Sequence, residues 1–187
     1  MTKTNAKKIR MVFFRLVPLV LVLVFGLSPV VLGEDKPTKK ETIAFIQEKC
    51  DNLKIAENIT SRVYTDEKDD CTFVVEVKHI GQSYRKYIFH LKEMDPGVIK
   101  NGFDPLFVLY TDFVNTGVIL GSKEEKKERK KAVKLIKMSY DDNKQEVVTE
   151  TNQEEVTFIC NSEKSAEKVG KAMSHLIGLC GGKADLF

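Results

Sequence analysis

The chain has 187 residues, a formal net charge of +3 and an apolar fraction of 42%, values that suit one globular domain. Residues 1–33 hold five of the 30 basic residues and none of the 27 acidic ones, which leaves 25 basic and 27 acidic side chains in residues 34–187. The main part of the chain therefore carries a net charge of −2. Its composition argues against bulk electrostatic binding to nucleic acid.

The first 33 residues have the layout of a secretory signal peptide. A basic stretch precedes an apolar one from Leu16 to Leu32, and Val31 and Gly33 suit the −3 and −1 positions of a cleavage site before Glu34. An uncleaved membrane anchor is the alternative, although about 17 residues are few for crossing a bilayer. The sequence thus predicts an exported protein, periplasmic or secreted, whose residues 34–187 form a single domain.

All four cysteines lie after this cleavage site: Cys50, Cys71, Cys160 and Cys180. An even number of cysteines in an exported chain favours two structural disulfides, with three connectivities open. Free buried thiols or a single bridge are the alternatives. No two cysteines have the spacing of zinc ligands. Because Cys50 and Cys180 both fall on apolar helix faces, a Cys50–Cys180 bridge with Cys71–Cys160 as the second pair is the favoured connectivity.

The first predicted helix runs from Lys39 to Leu53. Thr38 and Glu41 have the spacing of a capping box at its beginning. Its apolar stripe consists of Ile43, Ile46, Cys50 and Leu53.

A second helix is predicted from Ser162 to Cys180, capped by Asn161 or Ser162 and ended by Gly181-Gly182. One face of this helix is apolar and must pack on other elements. The residues of that face are Ala166, Val169, Met173, Leu176, Ile177 and Cys180.

The clearest local structure between the helices is a hairpin from Cys71 to Leu91, in which apolar side chains alternate in both halves. Gly81-Gln82-Ser83 suits the turn. A three-residue loop puts both apolar sets on one face, whereas a two-residue loop would put them on opposite faces. The predicted cross-strand pairs are Phe73 with Leu91, Val75 with Phe89 and Val77 with Tyr87.

Further strands are predicted from short apolar runs. They are Leu106–Tyr110, Val118–Leu120, Ala132–Tyr140, Gln145–Thr149 and Val156–Cys160. Two Asp-Pro pairs, in Met94-Asp95-Pro96-Gly97 and in Phe103-Asp104-Pro105, predict turns.

No set of residues has the pattern of a catalytic or metal site. His79 and His90 fall about five residue pairs apart on the predicted hairpin, roughly 17 Å, and His175 falls on the polar side of the last helix. Asp95 and Asp104 each precede Pro, which is typical of turns and not of a catalytic carboxylate pair. We therefore expect no enzymatic activity, no metal and no cofactor. A cysteine-dependent hydrolase or redox enzyme is the alternative.

The segment from Gly121 to Lys131 has no apolar side chain and carries a charge of +3, which reaches +5 with Lys134 and Lys137. A solvated loop of mixed charge is one interpretation. A patch that binds anionic lipid or polyanions is the other. The candidate anion-binding residues are Lys123, Lys126, Lys127, Arg129, Lys130, Lys131 and Lys134. Interleaved acids and missing aromatic residues argue against nucleic acid.

These elements predict an α+β domain: an N-terminal helix, about six or seven antiparallel strands in a curved sheet or open barrel, and a C-terminal capping helix. The strands from Cys71 to Cys160, the basic loop and the terminal helix resemble a pleckstrin-homology-like domain. The stretches 87–96 and 166–182 are similar to parts of uncharacterised exported bacterial proteins of that type. The resemblance implies binding of phosphoinositides or peptides through loops, and an exported protein does not meet cytosolic phosphoinositides.

The sequence thus favours an exported, non-enzymatic binding or interaction module with a protein or an anionic surface as partner. The alternative function is peripheral binding to anionic membrane surfaces or polyanions through the basic loop 121–137.

Overall fold

The structure is a computed structural model that describes residues 36–101, 117–141 and 143–183. Its helices are α1 (Lys39–Cys50) and α2 (Glu163–Leu179), and a 3-10 turn covers Leu91–Glu93. Its strands are β1 (Leu53–Ala56), β2 (Ile59–Thr65), β3 (Thr72–His79), β4 (Ser83–His90), β5 (Met94–Asn101), β6 (Gly117–Ser122), β7 (Glu124–Glu125), β8 (Glu128–Arg129), β9 (Val133–Tyr140), β10 (Glu146–Gln153) and β11 (Glu155–Ile159).

The signal segment, the turn at Asp104 and the strand predicted at Leu106–Tyr110 lie outside the described residues. Neither described helix is long and apolar enough to cross a membrane.

Helix α1 begins where the sequence predicts and ends three residues early. Its capping box is confirmed, since the Glu41 amide donates to Thr38 Oγ1 at 3.3 Å and the Thr38 amide donates to Glu41 Oε2 at 2.8 Å. The helix ends at Cys50 because Asn52 takes a left-handed conformation, with φ of 52°. Leu53, expected on the helix, therefore begins strand β1.

Helix α2 has the caps that the sequence predicts. The Ser165 amide donates to Ser162 Oγ at 3.2 Å, which satisfies one free amide of the first turn. At the other end Gly181 has φ of 81°, and the Gly182 amide donates to the Ile177 carbonyl at 2.9 Å. This is a Schellman motif, in which a left-handed glycine closes the last turn.

The strands form antiparallel sheets, so the predicted α+β class is confirmed. A large sheet has the order β1-β2-β3-β4-β9-β10, a small sheet has the order β11-β6-β5, and β7 and β8 form a separate two-stranded hairpin. Strands β1 and β2 were not predicted individually. Strand β10 extends four residues beyond the predicted end at Thr149.

The central hairpin β3–β4 has the predicted loop length in a shifted register. The loop consists of Ile80, Gly81 and Gln82, and Gly81 has φ of 78°. The predicted pairing of Phe73 with Leu91 is wrong, because the turn lies one residue earlier. The observed pairs are Phe73 with Phe89, Val75 with Tyr87 and Val77 with Arg85. Since the register shift is two residues, the predicted apolar face is preserved.

The turn predicted at Met94–Gly97 is instead a bulge within β5. The register with β6 is irregular between Asp95 and Lys100, and the Gly97 amide donates to Asp95 Oδ1 at 2.9 Å. Pro96 lies in this irregular part, where its missing amide breaks no ladder bond.

Residues from Pro37 onward form one compact unit whose core lies between the two sheets and the helices. Both helices contribute buried side chains to the same cluster as the inner side of the large sheet. Among the largest fully buried side chains are Phe73, Phe89, Phe158, Ile46, Leu91, Met94, Leu120, Met173, Leu176 and Ile177. The helices therefore lie on one side of the large sheet.

All four cysteines form two disulfides, as predicted, but the favoured pairing of the cysteines is wrong. The bridges are Cys50–Cys160 and Cys71–Cys180. Because α2 begins directly after Cys160, its first turn lies beside the end of α1, where the Asn161 amide donates to the Lys49 carbonyl at 2.8 Å. Its 17 residues then extend about 25 Å, which carries Cys180 away from Cys50.

A candidate binding surface on the outer face of the large sheet

The large sheet has an outer face, which is opposite to the helices. Since side chains alternate along a strand and both helices pack against the inner set, the other set points outward. The outer face is defined by Arg62, Tyr64, Val74, Glu76, Lys78, Tyr84, Lys86, Ile88, Lys134, Ile136, Met138, Tyr140, Glu146, Val148, Glu150 and Asn152. Apart from Val74, these side chains are half-buried or exposed.

One half of the outer face is a polar network centred on Glu76. The hydroxyls of Tyr64 and Tyr84 donate to the same oxygen, Glu76 Oε1, at 2.6 and 2.7 Å. Lys86 Nζ lies 3.6 Å from that oxygen. The guanidinium of Arg62 lies 5.0 Å from the centre of the Tyr64 ring, a cation–π contact. Neighbouring strands hold these groups in place.

The ionisation of this network is fixed by its contacts. Burial alone would raise the pKa of Glu76, but hydrogen bonds from Tyr64 and Tyr84 and the charges of Lys86 and Arg62 outweigh it and lower that pKa. Burial, followed by the hydrogen bond to Glu76 and its charge, raises the pKa of Tyr64 to about 12. The same causes raise the pKa of Tyr84.

These shifts make the network a poor acid–base catalyst. A general acid or base works best with a pKa near the ambient pH, whereas the pKa of Glu76 moves down from 4.5 and that of Tyr64 moves up from 10.0. At neutral pH the carboxylate stays charged and both phenols stay protonated. The network therefore presents a rigid polar surface, with Arg62 and Lys86 at its edge.

The other half of the outer face, on β9 and β10, combines four apolar or aromatic side chains with four polar or charged ones. Ile136, Met138, Tyr140 and Val148 lie on adjacent cross-strand positions. Tyr140 and Val148 are 53% and 54% exposed, and Ile80 in the neighbouring β3–β4 loop is 58% exposed. Single exposed apolar side chains are ordinary, but a group of them at one end of a sheet is typical of an interaction site.

The basic segment is mostly exposed, as the solvated-loop interpretation expected, and it contains a short hairpin. Strands β7 and β8 pair, and Lys126 and Lys127 occupy the two turn positions with φ of 52° and 71°. Positive φ at both positions is typical of a type I′ turn, which joins two-residue hairpins. Both lysines are exposed at the hairpin tip.

The candidate anion-binding residues do not form one open patch. Lys123 donates to the Lys92 carbonyl, and Arg129 pairs with Glu155 at 2.8 Å. Lys130 lies 2.8 Å from Glu125 and 3.1 Å from Glu93, and Lys134 lies 2.8 Å from Glu150. In the described part of the chain, no ion pair involves the remaining three, which are Lys126, Lys127 and Lys131.

Asp69, Asp70 and Cys71 form a cluster whose ligand atoms lie within 4.8 Å of one another. Cys71 is bonded to Cys180, so it offers no thiolate. Asp70 pairs with Lys39 at 2.7 Å. Hydrogen bonds from Thr72 and from the Cys71 amide, with the charges of His90 and Lys39, lower the pKa of Asp69. The cluster closes the turn before β3, and the carboxylates of Asp69 and Asp70 already have hydrogen-bond or ion-pair partners.

The histidines lie apart, as predicted. His79 pairs with Ser83 and His90 with Thr72, at opposite ends of the hairpin. His79 Nε2 lies 2.7 Å from Asn58 Nδ2, and His90 Nδ1 accepts from the Lys92 amide at 3.1 Å. His175 Nε2 lies 2.9 Å from the carbonyl oxygen of Pro37, the residue before the N-cap Thr38 of α1. This contact links α2 to the beginning of α1.

The outer face was missed in the sequence, because its residues come from five strands and no short motif joins them. The shared parity of Tyr87, Phe89 and Leu91, which puts Tyr84, Lys86 and Ile88 on the opposite face, was the available signal. Comparison with protein-family models, with curated proteins and with solved structures gives no match for this chain.

Proposed function

We propose that the chain is an exported, non-enzymatic binding module that holds a protein partner on the outer face of its large sheet. The observation that carries this proposal is the exposure of Tyr140 and Val148 on adjoining strands, next to the rigid network of Glu76. Aromatic and apolar side chains at the centre, with polar and charged groups at the rim, are the usual composition of a protein interface.

Two observations support export. The two disulfides are compatible with a periplasmic or extracellular protein, since cytosolic thiols are kept reduced. The basic and apolar residues before Gly33 suit a signal peptide. Cleavage between Gly33 and Glu34 gives an exported chain that begins with Glu34, which the intact mass of the protein from an exporting host tests directly.

The interaction is tested by photo-crosslinking in the exporting host. A photoreactive phenylalanine replaces Tyr140 on the outer face or, as the matched control, Lys171 on the exposed side of α2. We expect a discrete adduct of higher mass from position 140 and none from position 171. Equal adducts from both positions, or no adduct from position 140, would contradict the proposal.

A second function, binding of anionic surfaces, is supported by Lys126 and Lys127 at the hairpin tip, where both side chains point to solvent. It predicts co-sedimentation of the exported chain that begins with Glu34 with anionic vesicles at low salt and release at high salt. The variant Lys126→Ala/Lys127→Ala should lose this binding, whereas Lys171→Ala should keep it. Failure of the wild type to sediment at low salt excludes this function.

The pleckstrin-homology-like architecture is part of the same proposal. Two packed antiparallel sheets and a terminal amphipathic helix support it. The six-stranded order of the large sheet and the presence of α1 depart from that plan.

A further inference from the structure

Strand β10 is a long edge strand of the large sheet in the part of the chain that the structure describes. It pairs with β9 over eight consecutive residues without a bulge, and within the described ranges no other strand pairs with it. Natural proteins usually shorten, bend or cover such edges, because unpaired backbone groups recruit other strands. The opposite edge, β1, follows that rule, since it has four residues and an irregular register. β10 does not.

The backbone groups that face the free edge follow from the ladder. The Asp141 amide donates to the Gln145 carbonyl, so residue 145 bonds toward β9. Because bonding alternates along an antiparallel strand, residues 147, 149 and 151 also bond toward β9. Residues 146, 148, 150 and 152 therefore direct their N–H and C=O groups away from the sheet.

The side chains of this edge select against a second copy of the same strand. Glu146 and Glu150 flank Val148 on the outer face, and residues 145–155 hold four acids and no base. Two of the four, Glu150 and Glu155, already pair with Lys134 and Arg129, and both remain exposed. In a two-fold pairing of two β10 strands, the glutamates of both copies occupy opposite or diagonal positions on one face. Like charges at such positions are destabilising. A strand with basic residues at those positions is complementary instead.

We propose that β10 accepts an extended segment of a partner protein as an additional antiparallel strand, with basic residues two positions before and after an apolar residue. The basic side chains lie opposite Glu146 and Glu150, and the apolar one lies opposite Val148. The main-chain bonds supply affinity and the alternating side chains supply specificity. This inference rests on the proposed protein-binding function and names the chemistry of its partner.

The probe is a fluorescent peptide, Thr-Lys-Thr-Val-Thr-Lys-Thr, whose binding to the full chain is followed by polarisation at low salt. We expect saturable binding, and a loss of at least about tenfold when both lysines are replaced by Glu. N-methylation of the central Val blocks a main-chain bond to β10 and should abolish binding. N-methylation of a neighbouring Thr, whose N–H faces away, should not.

The protein variant that tests the edge is Val148→Pro, with Val148→Ala as its matched control. Because the Val148 N–H points away from β9, proline removes an edge donor and no ladder bond. We expect Val148→Pro to abolish binding of the peptide. Val148→Ala should lower the affinity for the peptide by a smaller factor. The N-methylated peptides give the same information on the wild-type chain should the proline variant unfold.

The inference is overturned if the peptide fails to bind at up to about 1 mM. It is also overturned if N-methylation of Val leaves binding unchanged. A wild-type dimer that Val148→Pro converts to a monomer in sedimentation would identify a second copy as the occupant and overturn it as well. An adduct from position 140 without peptide binding keeps the proposed function and rejects strand addition, so the two failures are distinguishable.

Discussion

Cys71 and Cys180 are joined across 109 residues of sequence, so the first residues of the central strand β3 are tied to the end of α2. A cross-link over so long a loop removes much conformational entropy from the unfolded chain, and its removal commonly costs about 2–5 kcal/mol. We expect Cys71→Ser/Cys180→Ser to lower the free energy of unfolding by this amount in urea denaturation. The second bridge gives a comparison: Cys50→Ser/Cys160→Ser opens a loop of nearly equal length and should cost more, because both positions are fully buried and serine places hydroxyls there.

The connectivity itself is a separate prediction. Proteolysis of the unreduced protein should release peptides that link Cys50 to Cys160 and Cys71 to Cys180, identified by mass spectrometry. Reduction should separate each pair. A peptide that links Cys50 to Cys180 would contradict the arrangement in which α2 begins beside the end of α1 and carries Cys180 away from it.

The pKa of Tyr64 predicts a loss of stability in alkali. Its pKa is raised from 10.0 to about 12, so between these values the folded chain holds a proton that the unfolded chain has lost. The contribution is complete below pH 10 and decreases as the pH rises toward 12. Ultraviolet titration of tyrosine should show the delayed ionisation. Glu76→Gln should move it toward pH 10, whereas Tyr64→Phe should remove one delayed tyrosine and leave the delayed ionisation of Tyr84.

The same network predicts a loss of stability in acid. Since the pKa of Glu76 lies below its ordinary 4.5, the contribution of this carboxylate is present above that pH and is lost as the pH falls through the lowered value. Urea denaturation across the acid range measures it. In Glu76→Gln this part of the pH dependence should disappear. An unchanged acid profile in that variant would show that Glu76 contributes nothing.

The helix ends were predictable because each is determined by local chemistry. Thr38 and Glu41 satisfy each other's backbone at the beginning of α1, and Gly181 takes the left-handed conformation that other residues avoid. No distant residue is needed for either signal. The early end of α1 at Cys50 had a weaker signal, because an Asn at position 52 tolerates a left-handed φ without requiring it.

The disulfide connectivity depends on which helix ends are neighbours. Inward positions of Cys50 and Cys180 are compatible with any pairing, and the direction of α2 relative to α1 decides among them. The placement of Cys160 directly before α2 was the available clue, since a helix that begins beside one cysteine ends far from it.

The outer face could not be assembled from the sequence for a different reason. Glu76 accepts hydrogen bonds from the hydroxyls of Tyr64 on β2 and Tyr84 on β4, and these contacts depend on strand order and register. A register shift of two residues, as occurred in the β3–β4 prediction, preserves which side chains point outward. The same shift changes which of these side chains touch one another. The set of outward side chains was therefore predictable for this hairpin, whereas the contacts between them were not.

Gly181 should tolerate substitution poorly. Its φ of 81° is a conformation that costs an ordinary residue about 1–2 kcal/mol. We expect Gly181→Ala to destabilise the protein by about that amount in urea denaturation and Gly181→Asn by less, since Asn accepts the left-handed region more readily. Lys183→Ala, at an exposed position two residues further on, is the control and should have little effect. Equal stability of the Ala variant and the wild type would contradict the Schellman geometry.

Amide exchange in the free protein should alternate along β10. Val147, Thr149 and Thr151 donate toward β9 and should exchange slowly, whereas Val148 and Glu150 face the free edge and should exchange fast. Nuclear magnetic resonance resolves the individual amides. The control is β3, which has a neighbour on both sides, so the amides of Val74 and Val75 should both be protected. Slow exchange at Val148 and Glu150 would mean that this edge is already paired, and it would remove the backbone groups that strand addition requires.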